Sequence, residues 1–330
     1  MVDVATSDLS LELEDYRVEL TGYCYRMLGS SFEADDAVQE TMVRAWRSLD
    51  RFEGRSTLRS WLYSIATNVC LTLLQGRKRR AMPMDLASPA SAVETFRPAP
   101  LPERTWVQPI ASERAIPADG DPADLAVARE TIRLAFVAAL QFLPPRQRAV
   151  LILREVLRWQ AAEVAELLDT SVASVNSALQ RARATLAAKD VAAGGSSEPM
   201  DAQKQALLER YVDVFERFDV EAFVALLHED ATLSMPPDRF WLRGRDLLGA
   251  WWRGPGAKCA GSRVVPISVN GTPGCAAFRA APDGAHEAFA VQVLETSDGL
   301  ITAVHAFRDL RLFAQFGLPT RLEPSRRDVR

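Results

Sequence analysis

Eight prolines between residues 82 and 125 (Pro83, Pro89, Pro98, Pro100, Pro102, Pro109, Pro117 and Pro122) set the first limit on how this 330-residue chain can fold. Each removes a backbone donor and biases its predecessor toward extended conformations, so no long helix persists across the stretch. It reads as a tether. A second break, residues 192–199 (Ala-Ala-Gly-Gly-Ser-Ser-Glu-Pro), has the composition of a flexible linker. The chain is therefore read as three modules, 10–81, 126–190 and 201–320, joined by linkers at 82–125 and 191–200, without internal repeats.

Charge follows the same boundaries. Residues 17–80 carry 11 Lys/Arg against 7 Asp/Glu and residues 126–189 carry 9 against 5, a net of +4 each, whereas residues 81–125 sum to −4. The whole-chain value of −4 conceals two basic modules suited to phosphate contact. No apolar run of about 18 residues is present, and residues 1–15 hold five acids and no base, unlike a signal peptide. The expected location is the cytoplasm, with no membrane partner. Cys24, Cys70, Cys259 and Cys275 form no C-x-x-C pair, so neither a disulfide framework nor a metal site is indicated, and no cofactor is expected.

In the first module, Tyr16, Leu20, Tyr23 and Met27 recur at helical spacing, and Gly29 and Ser30 stop that helix. Ser31 is the expected cap of a second helix, whose apolar side is Ala37, Val38, Met42, Ala45 and Trp46. Its other side aligns Asp35, Asp36, Gln39, Glu40 and Arg44. A third helix from 56 or 57 to about 75 turns Leu58, Trp61, Leu62, Ile65, Ala66, Val69 and Leu73 inward and ends in Gly76-Arg77-Lys78-Arg79-Arg80. Four consecutive bases exceed what helix capping needs and favour phosphate contact.

The second module opens with a helix over 126–143 (Ile132, Phe136, Leu140) and a second after Pro144-Pro145. Residues 159–168, a turn at Asp169-Thr170, and 171–183 then give a helix-turn-helix, with Val164, Leu168, Val172, Val175 and Leu179 as shared core. Its second helix presents Ser174, Asn176, Ser177, Gln180 and Arg181, able to bond base edges or phosphates.

The third module reads as helices (206–218, 221–227), a short strand (231–235), a helix over 247–252 and strands at 263–269, 274–280, 287–295 and 301–307. The pattern is an α+β domain with a curved antiparallel sheet. Catalytic candidates are His228 and Asp230, placed at a helix end with capping roles, together with His305 and Asp309; the catalytic reading is not adopted. A pocket for a small molecule would use Trp241, Trp251, Phe289 and His305.

Residues 20–29, 34–47 and 52–68, closing on Arg79-Arg80, resemble region 2 of bacterial extracytoplasmic-function (group IV) RNA polymerase sigma factors, and residues 143–150 through 175–183 are similar to region 4. The third module resembles the SnoaL-like, nuclear-transport-factor-like domains appended to a subset of that family. The resemblance implies two all-α helical domains followed by an α+β cone. By position, Asp35, Asp36, Gln39, Glu40, Arg44 and Arg47 would dock on the clamp helices of core RNA polymerase. Phe52, Arg55, Ser56, Arg59, Asn68, Arg77, Arg79 and Arg80 would hold the minus-10 element of promoter DNA. Ser174, Asn176, Ser177, Gln180, Arg181 and Arg183 would read the minus-35 element beside the polymerase flap. The position of Ala178 is commonly Arg in relatives, which puts the strength or specificity of that contact in question. The implied function is promoter-specific transcription initiation, with the third module regulating in cis from its short linker. Two other readings stay open: a helix-turn-helix regulator independent of polymerase, and a bifunctional protein whose third module is an isomerase-like or hydratase-like enzyme.

Overall fold

The computed structural model describes residues 12–52, 54, 56–93, 99–188 and 202–324. The expected flexible linker at 191–200 lies outside them, as does Arg55. The described chain forms two compact units, one of residues 12–80 and 113–188, the other of 81–112 and 202–324.

The first unit contains α1 (Arg17–Leu28), α2 (Ser31–Ser48), α3 (Leu58–Leu74), α4 (Pro122–Thr131), α5 (Leu134–Leu140), α6 (Pro145–Leu151), α7 (Ala161–Leu167) and α8 (Val172–Ala187). Helix α1 is buried on every side from Leu20 to Leu28, not along one aromatic stripe. It packs on α2 and α3 on one side and on α5 and α6 of the second module on the other. Gly29, at φ 69°, ends it in the left-handed conformation that glycine adopts without strain. Ser30, rather than the expected Ser31, caps α2 by accepting the Glu33 N–H at 3.2 Å.

The expected helix over 126–143 is two helices, and the first begins inside the proline-rich stretch. Pro122 occupies the first turn, where a missing N–H is harmless, behind an Asp121 cap. The break at Ile132–Arg133 lies where a side chain from α1 reaches the end of α4. Buried Arg26 donates to the Ala128 carbonyl (3.1 Å) and to the Thr131 hydroxyl (2.9 Å), so the carbonyl that the next helical N–H would use is already engaged. Arg148 makes the matching contact from the second module, donating to the carbonyls of Met27, Gln141 and Leu143 and to the Gln141 side chain. Both guanidiniums are 3% exposed, and burial lowers the pKa of each to about 10. Two arginines are thus internal struts of the junction between the helical modules.

In the second unit, β1 (Leu227–Ser234), β2 (Trp241–Arg243), β3 (Arg263–Val269), β4 (Thr272–Ala280), β5 (His286–Ser297), β6 (Leu300–Phe307) and β7 (Arg321–Leu322) form one sheet in the order β2-β1-β6-β5-β4-β3, with β7 pairing β5. The pairs are antiparallel except β1 with β6, which is parallel. Asn270-Gly271, both at positive φ, closes the β3–β4 hairpin in the twist-compatible way. Helices α9 (Ala202–Glu216), α10 (Val220–Ala225) and α11 (Arg245–Arg253) share an apolar core with the sheet, and α12 (Arg311–Gln315) follows β6. Tyr211, Phe215, Phe223 and Trp252 form an aromatic cluster in that core, with neighbouring ring centroids 5.0–5.8 Å apart.

The proline-rich segment is not a free tether over its described part. Residues 81–93 and 99–112 lie on the third module as an extended strap. Val93 joins that module's core. The Ala90 N–H donates to the Trp241 carbonyl, the Ala87 carbonyl accepts from Trp241 Nε1 at 2.8 Å, and the Ala99 N–H donates to Asp238. Ile110 exchanges hydrogen bonds with Asn270, donating to its side chain and accepting from its N–H. Prolines allow only short 3-10 turns here, at Pro83–Asp85 and Glu103–Thr105, and leave the rest of the backbone free to bond a neighbour, while Val93, Trp106, Val107 and Ile110 supply apolar surface to bury.

Candidate functional site

Helix α2 displays Asp36, Gln39, Glu40, Arg44 and Arg47 exposed along one side, with Asp35 half-buried at its edge. Arg44 donates to Glu40 at 2.6 Å across one turn, and Asp35 accepts from Arg114 at 2.7 Å. Exposed ion pairs of this kind contribute up to about 1 kcal/mol each, so the face is solvated and available to a partner at low cost. Trp46 departs from expectation: instead of packing inward it is 67% exposed. It follows Gln39 and Val43 at spacings of four and three, the stripe of a helix seam, and so borders the acidic residues. Its spacing of four from Met42 groups it with the apolar side, while its spacing of three from Val43 puts it at that side's edge, where it stays exposed.

Ahead of α3, Phe52 stacks on Trp61 with centroids 5.0 Å apart. Trp61 is half-buried and belongs to this aromatic pair rather than to the core, which α3 builds from Leu62, Tyr63, Ala66, Val69 and Cys70. Leu58, Ile65 and Leu73 are likewise only half-buried. Ser56 and Asn68 are exposed. Arg59 donates to Glu19 at 2.6 Å, and its guanidinium lies over the rings of Tyr63 (5.4 Å) and Trp159 (5.7 Å), the latter from the second module. The basic run is also engaged. Arg77 (2.6 Å) and Arg80 (2.9 Å) pair with the Glu33 carboxylate, and Arg79 lies 4.0 Å over Phe142 of the second module. Arg80, expected on the surface, is 6% exposed, because the half-buried Glu33 at the start of α2 gives it a counter-charge.

Ser171 caps α8 by accepting the Ser174 N–H at 3.2 Å, and the two hydroxyls lie 3.0 Å apart. Val164, Leu168, Val175 and Leu179 are buried as expected, joined by Ala182 and Leu186. Val172, expected in this core, is 43% exposed, because it is the first helical residue after the cap and turns outward. Ser174, Asn176, Ser177, Gln180, Arg181 and Arg183 all lie exposed on α8, and Arg183 pairs with Glu155.

The third module does not gather its four pocket candidates. Trp241 is bonded to the strap, Trp251 is buried against Phe240 at 5.1 Å, and Phe289 lies under the Arg279 guanidinium at 3.4 Å. His305 alternates with Val304 and Ala306, which belong to the core, so it points to the opposite face of the sheet, where its Nδ1 lies 2.8 Å from the Ser234 hydroxyl. Burial depresses its pKa, against the opposing charge of Glu295. His228 and Asp230, expected at a helix end, lie exposed on β1, where Arg243 binds Asp230. Register pairs Ser234 with His305 and, across an irregularity in β1, Leu227 with Ile301, so His228 lies toward the other end of that pairing and not beside His305. Asp309 pairs with Arg311. The cavity among Phe215, Phe218, Phe223 and Trp252 measures only about 10 Å³, room for about one water. Among the described residues, His228 and Asp230 meet on the exposed end of β1, where the Asp230 N–H donates to His228 Nδ1 at 3.2 Å, while buried His305 has Glu295 as its charged neighbour on the sheet, so the four candidates do not converge on one pocket.

Residues 13–80 match the Sigma-70 region 2 family, residues 133–186 the Sigma-70 region 4 family, and residues 208–304 the SnoaL-like domain family. The chain is 42% identical over 97% of its length to the ECF RNA polymerase sigma factor SigG of Mycobacterium tuberculosis, covering 86% of that protein. It is 29% identical over 68% of its length to the ECF RNA polymerase sigma factor SigJ of the same organism, covering 63% of that protein. The crystal structure of SigJ superposes with a TM-score of 0.59 at 23% identity, over 93% of this chain and 99% of that one, and so shares the fold.

Proposed function

The chain belongs to the ECF RNA polymerase sigma factors, with a SnoaL-like domain at its C-terminal side, and from that we propose how its surfaces divide the work of promoter-directed initiation. The exposed acidic side of α2 carries the reading. An acidic helix inside a module with a basic surplus would repel phosphate, and its exposure suits a protein partner with basic groups, the clamp of core polymerase. Asp35, Asp36, Gln39, Glu40, Arg44 and Arg47 form that contact, and exposed Trp46 extends it with an apolar anchor of the kind that dominates interfaces.

Phe52, Ser56, Arg59, Asn68, Arg77, Arg79 and Arg80 serve the minus-10 element, and the α8 residues serve the minus-35 element. Arg59 and Arg79 pack on aromatic residues of the second module, and Arg77 and Arg80 on Glu33. Gripping DNA in this way therefore entails parting the two helical modules and exchanging internal partners for phosphate. The third module acts in cis through the strap rather than by turnover: His228 and Asp230 lie on the exposed end of β1 and the cavity in its aromatic core has room for about one water.

Core polymerase binding by the full chain tests the reading. Asp36→Arg with Glu40→Arg is expected to abolish binding and Trp46→Ala to weaken it about tenfold or more, the scale of a hot-spot truncation. Unchanged binding by the charge-reversed chain favours a regulator independent of polymerase.

A further inference from the structure

The strap leaves the third module at Ser112, whose hydroxyl accepts from Ser268 Oγ (2.8 Å) and from the Gly271 N–H (3.0 Å). The next residues belong to the first unit. Ala115 and Ile116 are buried, and the Ala115 carbonyl sits directly over Gly22 in the middle of α1. A Cβ at that position would stand 2.5 Å from the carbonyl oxygen, closer than any real contact. Among non-proline residues glycine is the poorest helix former, and here its missing Cβ provides the seat for Ala115. The seat fixes where Arg114 goes: its guanidinium reaches Asp35 at 2.7 Å, with both side chains about one-third exposed. Arg114 and Glu113 thereby line a cleft of about 500 Å³ together with Asp35, Asp36 and Gln39, three of the six residues of the proposed docking face.

We infer that Arg114 is a built-in competitor for that face. A guanidinium is the group a basic polymerase surface would itself offer to these carboxylates, and Arg114 holds the edge of the face by the same chemistry. Core polymerase binding then requires the segment 113–116 to leave Gly22. Ser112, held by the third module, and Arg114, held by α2, are two residues apart in the chain, so the strap's grip and the masking of the face are linked through the backbone. The inference rests on the docking reading above.

The test measures core polymerase affinity of the full-length chain carrying Arg114→Ala, with Asp36→Arg in parallel. Arg114→Ala is expected to tighten binding on the order of fivefold, the strength of one partly exposed ion pair. Asp36→Arg is expected to abolish it. In the unsubstituted chain, the amides of Ala115 and Ile116 are expected to exchange faster with solvent once core polymerase is added. Affinity unchanged or weakened by Arg114→Ala, or unaltered exchange at 115–116, overturns the competitor while the loss with Asp36→Arg leaves the docking reading standing. Binding that survives Asp36→Arg overturns the docking reading itself.

Discussion

Arginines at single positions do most to separate what could be read from the sequence from what could not. Arg26, Arg80 and Arg148 look like surface charges in a basic module, yet each is buried against carbonyls or a carboxylate contributed by residues up to 121 positions away. No local pattern encodes such a partner. Replacing Arg148 with Met should leave the Met27 and Leu143 carbonyls without their donor and lower unfolding free energy by about 1–3 kcal/mol, read as a drop in urea midpoint. His305 was legible as a strand residue but not as one facing away from the cone, since the bulge between β5 and β6 shifts the alternation. Its depressed pKa gives a sign. The neutral imidazole is favoured in the folded state, so its contribution is complete above the ordinary value near 6.5 and is lost as pH falls through the lower folded value. His305→Asn should therefore flatten the fall in stability below pH 6.5, measured by denaturant unfolding across that range.

Among the secondary-structure elements, spacing carried most of the information. The acidic side of α2 and the inward residues of the helix-turn-helix follow from a period of 3.6, and strand β3 was read with its observed bounds, because alternation and turn residues are local signals. The split between α4 and α5 was not legible, since its cause is Arg26 on another helix. Strap burial was hidden for a different reason: proline fixes what a segment cannot form, and says nothing about what it packs against. On α8, the two sides predict different responses. Arg181→Ala should weaken minus-35 DNA binding and reduce its salt slope by about 1 while leaving the melting temperature unchanged. Leu179→Ala should destabilise the module by about 2–5 kcal/mol in thermal or denaturant unfolding.

For the whole molecule, the proposed action of the third module on promoter recognition would run along the strap that it holds. Truncation after Ala193 would bare Val93, Trp106, Val107 and Ile110, so a point change is the cleaner probe. Asn270→Gly keeps the positive-φ turn but removes the acceptor of the Ile110 N–H, and should raise amide exchange across residues 107–112 with the hairpin intact. The account as a whole stands on this chain giving core polymerase a promoter preference. Mapping RNA 5′ ends in a reconstituted reaction over fragmented genomic DNA, with core polymerase alone and with the protein added, measures that directly. The account predicts new 5′ ends downstream of a shared pair of sequence blocks, lost when Asp36→Arg is used. The same set of 5′ ends with and without the protein would contradict it.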